Sequence, residues 1–203
     1  MKHLPLVLGI LIVVGLAGIA GWQVYESGIL QRFADDGNRG QGTADVGGPF
    51  TLVAQDGHTV SDTDFRGKLM LVYFGYTFCP DVCPTSLQNE AVALDILGDD
   101  ADDVAPIFIT VDPNRDSQQV MAEYMDAFGP RFIGLRGTEE QVAEVAKRYR
   151  VYFRKVDPDK DPENYLVDHL SFLYLMGRDG KFITAFGHAT TPEEIARGIR
   201  EYL

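Results

Sequence analysis

Basic residues are scarce in this sequence. Eighteen lysines and arginines face thirty aspartates and glutamates, leaving a formal net charge of −12. Non-specific binding of nucleic acid needs a basic footprint for the phosphates, and this balance argues against it and against a nucleic-acid partner. Long runs of like charge are missing too, and the acidity is spread over solvated surface without singling out a partner. No internal repeat is visible, and the glycine-rich stretch before residue 49 lacks a phosphate-loop pattern. A Thr-x-x-Cys pattern is also absent, which argues against a thiol peroxidase. Cysteine occurs twice and histidine four times, so thiol or soft-metal chemistry has few residues to draw on.

The apolar content suffices for one domain with a proper core and an appendage: 45% of 203 residues are hydrophobic. From Leu4 to Val24 no charge interrupts the run LPLVLGILIVVGLAGIAGWQV. At about 1.5 Å rise per residue it is long enough to cross a hydrocarbon core of about 30 Å. Lys2 and His3 precede it, and Trp22 and Tyr25 stand where an interfacial aromatic belt would lie. The expectation is a single-pass anchor over residues 1–26, with the rest of the chain exported. A cleaved signal peptide is the competing reading, because Gly18 and Ala20 meet the small-residue rule; the length of the run favours the anchor. Residues 27–48 read as a flexible linker, rich in Gly and Asp over 35–48. Residues 49–203 read as the folded domain.

In that domain Phe50, Leu52 and Ala54 alternate ahead of a Gln55-Asp56-Gly57 turn and a return through Val60, the pattern of a β-hairpin. An apolar strand at 69–74 leads through a turn to a helix over about 84–97. A strand at 104–111, a helix over 117–128 capped by Asp116 or Ser117, and a strand at 132–135 follow. The next helix, 138–149, opens with Thr138 and Gln141 as a capping box. A strand at 151–156, an acidic Pro-containing turn at 157–164, and strands at 170–176 and 181–186 joined by Gly177-Arg178-Asp179-Gly180 come next. The last helix, 192–203, opens with Thr191, Pro192 and Glu194. This order predicts an α/β thioredoxin-like fold: a central mixed sheet with helices on both faces and an extra N-terminal β-hairpin.

Cys79 and Cys83 fall at the junction between the 69–74 strand and its helix. A structural disulfide there would close a loop of a few residues and restrain the unfolded chain little. At a helix N-terminus, exposed N–H groups and the dipole favour thiolate over thiol, the setting of a reactive pair. The spacing leaves disulfide exchange and soft-metal binding, especially of Cu(I), both open. His169 is the candidate third ligand. It ends Tyr165-Leu166-Val167-Asp168-His169, read as a loop that faces the cysteine turn in a thioredoxin topology; His3, His58 and His188 lie elsewhere. Asp168 is placed to orient its ring. Asp112, at the end of the 104–111 strand, is expected near the same turn, either restraining that loop or capping a turn of its own. Met121 and Met125 read as core. Asp157, Asp159 and Asp161 imitate the start of a calcium loop, but Pro162 stands where such a loop needs glycine.

Three ordered stretches carry a resemblance: Tyr73-Phe74-Gly75-Tyr76-Thr77-Phe78-Cys79-Pro80-Asp81-Val82-Cys83-Pro84, Ile109-Thr110-Val111-Asp112-Pro113-Asn114-Arg115-Asp116, and Val167-Asp168-His169. Together they resemble the signatures of the Sco/SenC family, over the whole soluble domain and with the tethered membrane helix. Phe78 stands where many relatives have His, and Leu170 replaces a small polar residue. The resemblance implies a membrane-anchored, thioredoxin-fold copper protein that assists assembly of the CuA centre of cytochrome c oxidase. It implies Cys79, Cys83 and His169 as ligands of a copper ion, Cu(I) and, as expected of the family, Cu(II), with Asp112 and Asp168 in support. A metallochaperone rather than an enzyme follows. Its partners would be cytochrome c oxidase subunit II and another copper chaperone or a thioredoxin-like reductase. The location implied is the inner (cytoplasmic) membrane with the domain on the periplasmic side, or the intermembrane-space side of a mitochondrion. Two rival readings stay open: a thiol–disulfide reductase of the CuA-site cysteines, which needs both thiols but not His169, and a redox or copper sensor.

Overall fold

The computed structural model describes residues 45–203; the expected anchor and most of the expected linker lie outside them. Among the described residues no helix is long and apolar enough to cross a membrane. The hairpin β1 (Thr51–Ala54) and β2 (Thr59–Ser61) comes first. Strand β3 (Leu69–Gly75), helix α1 (Val82–Leu97), strand β4 (Val104–Thr110) and helix α2 (Gln118–Asp126) follow. Next stand β5 (Ile133–Arg136), α3 (Glu139–Arg148), β6 (Phe153–Val156) and β7 (Leu166–His169). The chain closes with β8 (Phe172–Met176), β9 (Phe182–Gly187) and α4 (Pro192–Arg200).

Strands β3 and β4 are buried along their whole length, which is why both are apolar runs without alternation. They pair in parallel from Leu69↔Val104 to Gly75↔Thr110. Strand β5 joins β4 in parallel, while β8 runs antiparallel on the other side of β3. The N-terminal hairpin adds to β5 antiparallel, completing a seven-stranded mixed sheet in the order β2-β1-β5-β4-β3-β8-β9. Neighbouring strand residues point to opposite faces. Tyr73 stacks on Phe108, which meets Tyr124 of α2, whereas Phe74 meets Tyr149 just beyond α3. Helices therefore cover both faces, as expected of a thioredoxin-like fold.

Capping follows the expected chemistry. Ser117 rather than Asp116 caps α2, its Oγ accepting from the Val120 N–H, and full capping boxes form at Thr138/Gln141 and Thr191/Glu194. Met121 and Met125 are core. Two boundaries differ. The chain is docked before Pro49: Val46 packs on the core, and the Gly47 N–H donates to the Arg148 carbonyl at 2.9 Å. Residues 166–169, expected as loop, form β7 and pair with β6 from Phe153↔His169 to Val156↔Leu166, a two-stranded sheet apart from the main one. Only Val167 is buried in that strand, so its apolar signal is too thin to announce a strand in advance.

Candidate metal centre

Strand β3 ends at Gly75, and the chain turns through Tyr76–Pro80 into α1. Cys79 thus sits in the turn and Cys83 in the helix's first turn. Position 75 is tight even for a methyl: a Cβ there would stand 2.8 Å from Cys83 Sγ and 2.9 Å from the Phe108 ring. Cys83 is fully buried and Cys79 is 9% exposed; both are free thiols. The Cys83 N–H donates to Cys79 Sγ at 3.4 Å, and Cys83 Sγ lies 3.3 Å from His169 Nε2. All three ligand atoms fall within 4.8 Å of one another.

His169 reaches this point from β7. Its ring stands edge-on to Tyr73 and Tyr76, with centroids at 6.3 and 5.8 Å. Nδ1 is 3.2 Å from the Leu170 carbonyl oxygen. An Nδ1–H donated there leaves the Nε2 lone pair facing the sulfurs, the usual arrangement of a ligating imidazole. The backbone, not Asp168, thus orients the ring. Strand alternation turns Asp168 outward, where it accepts from Arg154 Nη2 at 3.1 Å.

The two sulfurs are electrostatically unequal. The hydrogen bond from the Cys83 thiol holds Cys79 far below the usual thiol range, against the opposing effect of burial; the N–H groups of Asp81 and Cys83 add to it. Cys83 is pushed up by the same pairing and by its own burial. The copper-free site therefore holds a thiolate at Cys79 and a thiol at Cys83. Two sulfurs and one imidazole nitrogen form a soft donor set of low number, suited to Cu(I) rather than to oxygen-seeking cations.

Asp112 lies not against the sulfurs but beneath the surrounding loops. Fully buried, it accepts from Arg115 Nε at 2.5 Å and from the Tyr165 hydroxyl at 2.6 Å. Asp116, one of the two expected caps of α2, instead accepts from the Thr77 N–H at 3.1 Å, the Thr77 hydroxyl at 2.6 Å and the Thr110 hydroxyl at 2.5 Å. Burial raises its pKa against those hydrogen bonds. It pins the start of the cysteine turn to the end of β4. Sequence reasoning misses Arg115, Asp116 and Tyr165; the first two lie inside the second motif, while nothing in the pattern pairs Tyr165 with Asp112.

A thioredoxin-like domain whose cysteine turn is closed by an imidazole from a separate hairpin belongs to a class of dithiol–imidazole proteins rather than to the plain dithiol thioredoxins. The SCO1/SenC family model matches residues 38–203, and the chain belongs to that family. Protein sco1 of Schizosaccharomyces pombe is 44% identical over 187 residues, covering 90% of this chain and 70% of that protein. The structure of Bradyrhizobium japonicum ScoI with copper bound matches with a TM-score of 0.72 and 47% identity, over 78% of this chain and 99% of that one. BsSco, a member of the Sco family of cytochrome c oxidase assembly proteins in which a disulfide switch was identified, matches at a TM-score of 0.62 and 25% identity, over 79% of this chain and 95% of its own.

Proposed function

We propose that this chain is a copper metallochaperone that holds its cargo through Cys79, Cys83 and His169 and serves assembly of the CuA centre on cytochrome c oxidase subunit II. The observation that carries the reading is the closing of those three side chains into one cluster, within 4.8 Å, from two separate elements. Copper bound to ScoI of B. japonicum and the oxidase-assembly role of the BsSco family support it. On this reading residues 1–26 anchor the chain in the inner membrane, the stretch from 27 to the docked Val46 tethers it, and the domain works on the periplasmic or intermembrane-space side. Cys79 is already a thiolate, His169 presents a lone pair, and Cys83 sheds its proton as the ion enters. The test is a copper titration of the full chain beside His169→Ala. Loss of affinity on the order of 10–100-fold or more is expected, and an unchanged affinity and spectrum would remove His169 from the site.

The inequality of the sulfurs favours a second reading, thiol–disulfide reduction of the CuA-site cysteines, with Cys79 as the attacking thiolate and Cys83 as the resolving thiol. That reaction does not need His169. Restoration of oxidase assembly by His169→Ala would support the reductase, and failure would support the chaperone.

A further inference from the structure

The sulfurs and the imidazole stand on elements that share no strand pairing. Cys79 and Cys83 are set by β3 and α1, whereas His169 rides on the β6–β7 hairpin outside the main sheet. Something must hold the hairpin against the cysteine turn. The Lys155–Glu139 ion pair between hairpin and α3 is surface-exposed on the glutamate side, and such pairs hold little. Arg115 touches both the cysteine turn and the segment that leads into β7. Its guanidinium lies over the rings of Tyr165 at 3.7 Å, Phe78 at 4.9 Å and Tyr76 at 5.7 Å. Nη1 donates to the Glu163 carbonyl at 3.2 Å, and Nε donates to buried Asp112, which also takes the Tyr165 hydroxyl.

Tyr76 and Phe78 belong to the cysteine turn, and Tyr76 also flanks the His169 ring. Glu163 and Tyr165 lead directly into β7. A planar guanidinium is the one side chain that stacks on several rings while donating in two directions. We infer that Arg115 is the positioning residue of the metal centre, clasping the cysteine turn and the His169 hairpin together so that three ligands converge. The inference rests on the copper reading of the site for its affinity arm alone; the clasp itself is measurable without metal.

The experiment uses the full chain. Copper(I) affinity is measured by competition with a chromophoric chelator for wild type, Arg115→Met, His169→Ala and the double variant. If Arg115 acts through His169, Arg115→Met loses affinity to within about threefold of His169→Ala, and the double variant loses no more than His169→Ala alone. In Cu(II)-loaded protein the nitrogen superhyperfine structure of the imidazole, seen in wild type, disappears in Arg115→Met. In copper-free protein, amide exchange quickens at 153–169 while β3 and β4 stay protected. Wild-type affinity in Arg115→Met, or additive losses in the double variant, would overturn the proposal. Should Arg115→Met leave Asp112 too costly for the domain to fold, Tyr165→Leu keeps the Arg115–Asp112 pair while removing the ring on which the guanidinium stacks most closely. Unchanged exchange and copper affinity in that variant would overturn the proposal equally. If wild type and His169→Ala bind copper alike, the ligand set fails, and the exchange measurement alone judges the clasp.

Discussion

Alkylation of the copper-free, reduced chain across pH probes the sulfur that the fold makes most unusual. Cys79 has a pKa of about 3, set first by the Cys83 thiol. An ordinary thiol, with a pKa of about 8.5, is only about 0.3% thiolate at about pH 6, so Cys79 carries roughly 300 times more of the reactive form. Nucleophilicity falls with basicity along a Brønsted slope of about 0.4–0.5, and about 5.5 units of lowered pKa cost roughly 150–550-fold per thiolate. The two effects nearly cancel, so the absolute rate near pH 6 decides nothing. The shape of the profile decides. Modification of Cys79 by iodoacetamide should be flat between about pH 5 and pH 9, whereas an ordinary thiol gains about tenfold per unit until about pH 8.5. Peptide mapping should place the label on Cys79 and spare Cys83, which is fully buried and protonated. Cys83→Ala removes the largest cause of the shift, so the profile should regain slope toward alkaline pH. A wild-type rate climbing tenfold per unit through neutrality, or first labelling at Cys83, would refute the assignment of the thiolate.

Because Cys83 enters the site protonated and Cys79 does not, copper loading should expel about one proton near neutrality, and affinity should rise about tenfold per pH unit. Calorimetry in buffers of different protonation enthalpy counts that proton, and two would place one on Cys79 as well. Gly75→Ala sets a methyl 2.8 Å from Cys83 Sγ and 3.0 Å from Tyr73. Urea unfolding should show a loss of about 1–3 kcal/mol, with weaker copper binding; wild-type affinity would show that Cys83 has room to move. Glu90 is a lone buried carboxyl on α1, its Oε1 without a partner among the described residues, and burial raises its pKa. A raised folded pKa gives stability that is full below the unfolded value of about 4.3 and lost as pH climbs toward the folded one, at up to about 1.4 kcal/mol per unit. Glu90→Leu should therefore remove that slope and stabilise the domain near pH 7 by about 1–3 kcal/mol in thermal unfolding. A less stable variant at neutral pH would mean that the carboxyl has a partner.

How much of this was legible in the sequence follows from the range of each interaction. Strands β3 and β4, α1 and the capped helices announce themselves through local patterns of apolar residues and N-caps. The cysteine turn and His169 could be matched because the thioredoxin order of elements brings their ends together. Strand β7 stayed hidden, since one buried residue in four carries no periodicity. Asp168 misleads for a related reason: adjacency in sequence suggests contact with His169, but in a strand adjacent side chains diverge. The Arg115–Asp112–Tyr165 group joins residues 53 apart in the chain, and only the assembled fold brings them together.

The unequal burial of the two sulfurs gives the centre a single entrance. With Cys83 sealed between β3 and α1, any incoming ligand, whether a partner's thiolate competing for the metal or a partner's disulfide, meets Cys79 first. On the proposed ligand set, metal exchange and disulfide exchange then queue for the same atom. Copper held by both sulfurs leaves neither free to attack a disulfide, and a disulfide between Cys79 and Cys83 leaves no thiolate to hold copper. On that reading the oxidation state of one sulfur pair decides which of the two traffics the protein can carry.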